Sequence, residues 1–121
     1  MMYHSTIRKE SRMFPGVAYE IRRPSLRSRL ELLRLVRQEG HSLTFHNASD
    51  EFADQLRAKE VLTSIEAIYI QWGLLRIVDL SIDNHPADCE LLIEKGPEAL
   101  CREIAESIRE ECFLSEEEQK N

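Results

Sequence analysis

The chain has 121 residues, 42% of them hydrophobic and 31% charged, and a net charge of −6. This is the make-up of one globular domain, long enough to bury roughly two-thirds of its unfolded surface, and it excludes a low-complexity or fibrous chain. No apolar run approaches the ~18 residues of a membrane-spanning helix. The opening MMYHSTIRKESRMF carries charges with no apolar stretch behind them, so a secretory leader is not expected. The three cysteines, Cys89, Cys101 and Cys112, are odd in number and include no CxxC pair. They point to reduced, core-packed thiols in a cytoplasmic protein, not to a disulfide framework or zinc site.

Charge is unevenly spread. Residues 1–40 hold nine Arg/Lys against four Glu, whereas residues 41–121 hold seven against eighteen Asp/Glu. A basic segment can neutralise phosphates, so Arg22, Arg23, Arg27, Arg29, Arg34 and Arg37 mark a possible nucleic-acid surface. The competing assignment is the solvated face of a helix, which the acidic remainder of the chain favours because it repels a duplex.

In chain order, residues 1–15 are polar and read as a flexible segment ending at Pro15-Gly16. Residues 17–21 alternate, placing Val17, Tyr19 and Ile21 on one face of a short strand. Pro24-Ser25 opens a helix to about Gln38, with Leu26, Leu30, Leu33 and Val36 as its stripe, widened by Leu32 and Leu35. Gly40 reads as its stop and residues 41–47 as a loop or extended link. His41 and His46 there lack a third metal ligand at usable spacing.

Asn47, Ser49 and Asp50 are candidate N-caps for a second helix over residues 50–72. Phe52, Leu56, Leu62, Ile65, Tyr69 and Trp72 line one side of it. Lys59-Glu60 interrupts that side, so shallow burial is expected before it and deep burial after it. At ~1.5 Å per residue this helix spans the domain and forms its spine. After Gly73, residues 74–82 partly alternate as a strand with Val78, Leu80 and Ile82 apolar. Asp83-Asn84-His85-Pro86 is a turn. Residues 88–94 form a short helix stopped by Gly96-Pro97, and Pro97 opens the last helix, residues 97–113. Leu100, Ile104, Ile108 and Cys112 share its apolar face, and residues 114–121 read as a flexible acidic tail. The expected fold is an α-rich α+β domain over residues 16–113. Three to four helices pack around a long central helix, with a small two-stranded β element.

No constellation carries chemistry. There is no glycine-rich phosphate loop, nucleophile elbow, HExxH or zinc spacing. Asp79 and Asp83 are close enough to be imagined as an acid/base pair, but Asp83 is better explained as a turn-former. No catalytic residue, metal or cofactor is therefore expected.

Three stretches, FPGVAYEIRRPSLRSRLELLRLVR, IEAIYIQWGLLRIVDLSIDNHPADCELLIEKGPEAL and CFLSEEEQKN, follow in an order that resembles the phage and prophage tail assembly chaperones. The resemblance spans residues 14–121 and departs at Asn84, where the family pattern has a turn glycine. It implies a non-enzymatic cytoplasmic protein of a bacterial host that binds and solubilises the tape measure protein and helps recruit tail tube subunits. It also implies a longer form made by ribosomal frameshifting, which a CAA-AAA-AAC encoding of residues 119–121 would permit. On that reading Leu26, Leu30, Leu33, Tyr69 and Trp72 are candidate walls of a groove for partner helices, with core packing as the competing assignment.

Overall fold

A computed structural model describes residues 1–45 and 51–120. The protein is a mostly helical α+β fold. Strands β1 (Thr6–Glu10), β2 (Ala18–Arg22) and β3 (Leu74–Val78) form an antiparallel sheet in the order β1-β2-β3. Helices α1 (Leu26–Phe45) and α2 (Glu51–Gly73) precede β3. The hairpin β4 (Ser81–Ile82) and β5 (His85–Pro86) follows it, and then α3 (Cys89–Lys95) and α4 (Glu98–Lys120).

The expected strand at residues 17–21 sits at the centre of the sheet. Val17, Tyr19 and Ile21 all enter the core as expected, but Ala18 between them is buried too, so the alternation is only partial. Tyr19 faces Ile77 on β3, and Ile21 faces Ile7 on β1. The expected pairing is thus present as β2–β3 and is extended to three strands by β1. Residues 1–15, read as irregular, must be corrected accordingly. Only Ile7 and Lys9 of β1 are even half-buried, so this polar edge strand carries almost no hydrophobic signature. Its connection to β2 is closed by Ser11 N donating to Val17 O at 2.8 Å, with Gly16 at φ 92° supplying the left-handed residue.

Helix α1 begins at a reciprocal cap. Ser28 N donates to Ser25 Oγ at 3.2 Å, and Ser25 N donates to Ser28 Oγ at 2.8 Å. This satisfies orphan donors at the helix start in the manner of a capping box. Two expectations fail beyond this point. Gly40 does not stop α1, which continues to Phe45 through the stretch read as a link. The stripe Leu26, Leu30, Leu33 does not face the core either. The buried row is Ser28 and Leu32, with Val36 half-buried against the core.

Helix α2 deepens toward its C-terminal end, but not at Lys59-Glu60. Phe52 and Leu56 are exposed and Ile70, Trp72 and Gly73 are buried, whereas Leu62, past the interruption, is still exposed beside buried Val61. The predicted strand 74–82 is broken at Asp79, whose φ of 62° ends β3. Asp83 and Asn84, at φ 51° and 67°, then make the two-residue turn of β4–β5. Positive φ at both central residues is the geometry a tight hairpin requires, and Asn and Asp tolerate it without glycine. Helix α3 starts at Asp88, whose Oδ1 accepts from Leu91 N at 2.8 Å, and Gly96 ends it. Leu100, Ile104, Ile108 and Cys112 of α4 are all buried, as their spacing predicts. Each fully buried apolar side chain here contributes about 1.5–3 kcal/mol. Helix α4 runs on to Lys120, beyond the end predicted at residue 113. The N-cap candidates Asn47, Ser49 and Asp50 lie outside the described residues.

Candidate partner-binding surface

The five candidate residues divide into three environments. Trp72 is core: it is 7% exposed, and its Nε1 donates to Ser28 O at 2.9 Å. The Arg22 guanidinium lies 5.5 Å from the centroid of its ring. A residue held this way has no face left for a partner.

Tyr69 is half-buried and lines a crevice of about 360 Å³ between α2 and α4. Leu62, Ile65 and Ala105 supply its apolar surface, and Glu66, Arg102, Glu106 and Arg109 its charged rim. Arg102 donates to Glu98 Oε1 at 2.8 Å and lies 4.0 Å from Glu66 Oε2, so one of the two rim arginines is already engaged.

Leu26, Leu30 and Leu33 are solvent-facing, Leu26 to 84%. With positions 26, 30 and 33 four and three residues apart, they form one ridge along the outside of α1. The sequence offered these three as groove walls with core packing as the competing assignment, and their exposure removes the core assignment. Leu35 on α1 and Phe52, Leu56 and Leu62 on α2 are further exposed apolar residues. Periodicity placed them on apolar faces but could not tell that they are exposed, because it reports that a face is apolar and not what covers it.

The six arginines of the basic segment also divide. Arg22 stacks on Trp72. Arg23 pairs with Glu111 at 3.6 Å and donates to His4 O at 3.1 Å. Arg29 Nη2 donates to Cys112 O at 3.0 Å, tying α1 to α4. Arg27, Arg34 and Arg37 are exposed on α1.

One polar cluster had no warning in the sequence. Glu103, 7% exposed on α4, accepts through Oε1 from Ser11 Oγ at 3.2 Å and from the backbone N–H of Arg12 and Met13, each at 3.0 Å. Its Oε2 is buried with no hydrogen-bond partner among the described residues. Beside it, the Tyr19 hydroxyl shares a 2.8 Å hydrogen bond with Ser107 Oγ. Burial pushes the Tyr19 phenol above its ordinary value; the Ser107 bond opposes this and the Glu103 charge reinforces it. The cluster fastens the β1–β2 connection to α4.

Burial likewise raises the Cys89 thiol, helped by Asp88 and Glu90, and the Cys101 thiol, helped by Glu98. Their sulfurs donate to Ile70 O at 3.7 Å and Leu92 O at 3.5 Å. Asp79 and Asp83 are exposed at left-handed backbone positions, which fits turn formation. Among the described residues no group of three or more His, Cys, Asp or Glu is placed to hold a metal. His46 and the side chain of His41 lie outside the described residues. Among the described residues no helix is long and apolar enough to cross a membrane.

No family model matches the chain, and no curated protein or solved structure is similar to it.

Proposed function

We propose that this protein is a non-enzymatic phage tail assembly chaperone acting in the bacterial cytoplasm, where it binds and solubilises the tape measure protein and presents it to tail tube subunits. The reading rests on the resemblance of residues 14–121 to that family. The observation that best supports it is the uncovered leucine ridge of α1. A protein that keeps a hydrophobic helical client in solution needs apolar anchors open to that client, on a body charged enough to stay dissolved. Leu26, Leu30 and Leu33 offer the anchors, and the net charge of −6 offers the solubility.

Trp72 leaves the set of client-binding residues, because it is enclosed by Ser28 and Arg22. Tyr69 stays in it through the crevice it lines. Nucleic-acid binding through residues 22–37 is the weaker reading, because Arg22, Arg23 and Arg29 are engaged within the fold.

The test is co-expression with the tape measure protein of the same gene neighbourhood, followed by a pull-down at moderate salt. The large partner should become soluble and co-purify. A partner that stays insoluble both with this chain and with its longer frameshifted form removes the chaperone reading. Retention on a DNA column at low salt that is lost steeply as salt rises would favour the nucleic-acid reading instead.

A further inference from the structure

The geometry points to the outer face of α1 as a docking site for an acidic amphipathic helix, recognised by the ridge Leu26-Leu30-Leu33 and the arginines Arg27, Arg34 and Arg37. The inference rests on the reading of α1 as the client-binding face and names the chemistry of the client segment.

At 3.6 residues per turn, positions 26, 30, 33 and 37 fall in one narrow row, and positions 27 and 34 lie together along its flank. All six side chains are exposed. No ion pair engages Arg27, Arg34 or Arg37 among the described residues. The two glutamates of this stretch lie off the row: Glu31 sits on the far side of the arginine flank, and half-buried Glu39 lies on the side of Ser28 and Leu32. The other flank holds Arg29, whose guanidinium reaches Cys112 O. Within α1, the described charged side chains that border the apolar row are therefore arginines.

A ridge at four- and three-residue spacing interdigitates with the groove of a second helix and leaves an extended strand poorly matched. Glu or Asp beside the partner's own apolar row would complete the pairs that the arginines leave open, whereas Lys there would be repelled. A bilayer is a poorer occupant. The opposite side of α1 is committed to the core through Ser28 and Leu32, so α1 itself has only Leu26, Leu30, Leu33 and the partly exposed Leu35 to immerse. A duplex would set those leucines against phosphates.

Charge reversal, and not salt, is the informative variable, because the net −6 of the whole chain opposes the local attraction at long range. Fluorescence polarisation would compare three labelled helical peptides of about 18 residues. One has a leucine row flanked by Glu, one has the same row flanked by Lys, and one is a scramble of the acidic peptide. The Glu peptide should bind about tenfold or more tighter than either control. The double variant Leu30→Ser/Leu33→Ser should lose that binding with its helical signal and melting temperature retained, since both side chains are exposed. The triple variant Arg27→Glu/Arg34→Glu/Arg37→Glu should transfer the preference to the Lys peptide.

Equal binding of all three peptides overturns the proposal, as does an unchanged preference in the triple variant. Two other occupants would overturn it in identifiable ways. Co-flotation with anionic phosphatidylglycerol vesicles, lost in the leucine variant, would assign the ridge to a lipid surface. Concentration-dependent self-association lost in the same variant would assign it to a second copy of this chain. Co-expression separates this inference from the chaperone reading. Client solubilisation that survives Leu30→Ser/Leu33→Ser removes the α1 site and leaves the chaperone. Peptide selectivity without client solubilisation does the reverse.

Discussion

Trp72 and Glu103 hold the molecule together by different means. Trp72 closes the junction of α1, α2 and β2, where its indole N–H satisfies the Ser28 carbonyl and its ring carries Arg22. Trp72→Ala should cost about 3–5 kcal/mol of stability through the cavity and the lost bond. Trp72→Phe, which keeps most of the ring, should cost markedly less. Urea titrations of both variants check this, and an unshifted midpoint for Trp72→Ala would remove Trp72 from the core. Glu103 concentrates three hydrogen bonds on one buried carboxylate oxygen. Leaving the Arg12 and Met13 N–H groups without an acceptor should make Glu103→Ala cost about 2–3 kcal/mol. Glu103→Gln keeps an acceptor oxygen and should cost less. Amide exchange at residues 12 and 13 should accelerate in the alanine variant; unchanged rates would show that the clasp does not hold the β1–β2 connection.

At the scale of elements, α1 is decided at its start and left open along its outside. Its reciprocal serine cap sets where it begins, and the Ser28–Leu32 row sets which side meets α2. Gly40 lies within the helix, with open space around the position a Cβ would take. Gly40→Ala should therefore raise stability by about 0.5–1 kcal/mol through helix propensity and reduced unfolded-state freedom. Gly73, at the end of α2, has the opposite sign. A Cβ there would stand 2.8 Å from Ile108 Cγ2, and Ile108 is fully buried. Gly73→Ala should cost about 1–3 kcal/mol by overpacking the contact with α4. Thermal melts of the pair should move in opposite directions. A stabilised Gly73→Ala would mean that Ile108 relaxes freely.

For the molecule as a whole, the resolved titrations lie on the alkaline side. Tyr19, Cys89 and Cys101 all have folded values raised above their ordinary 10.0 and 9.0. In each case the neutral form is favoured by folding. Their contribution to stability is complete below those ordinary values and is lost as pH rises through the folded ones. The melting temperature should show no loss from these groups up to about pH 8 and decline beyond about pH 9. The double variant Cys89→Ser/Cys101→Ser should flatten the first part of that decline. Iodoacetamide should label Cys89 and Cys101 at pH 8 several-fold more slowly than it labels glutathione, because burial suppresses the thiolate. Labelling at the glutathione rate would show that these thiols are not packed as described.

The sequence by itself determined that the chain is a helix-rich domain, where most of its elements lie, and which row of α4 is buried. These features rest on local physics: the i, i+4 spacing of Leu100, Ile104 and Ile108, and the turn-forming tendency of Asp83-Asn84. Tertiary structure alone decided three matters. It turned the leucine ridge of α1 outward, because residues 26–36 contain overlapping apolar rows and only the packing with α2 chooses between them. It made β1 a strand, because a polar edge strand is defined by hydrogen bonds to β2 and hardly by hydrophobic pattern. It buried Glu103, whose partners stand about ninety positions earlier in the chain, at Ser11, Arg12 and Met13. A charge at that distance from its partners reads as solvent-exposed in any local window, and only folding brings its donors to it.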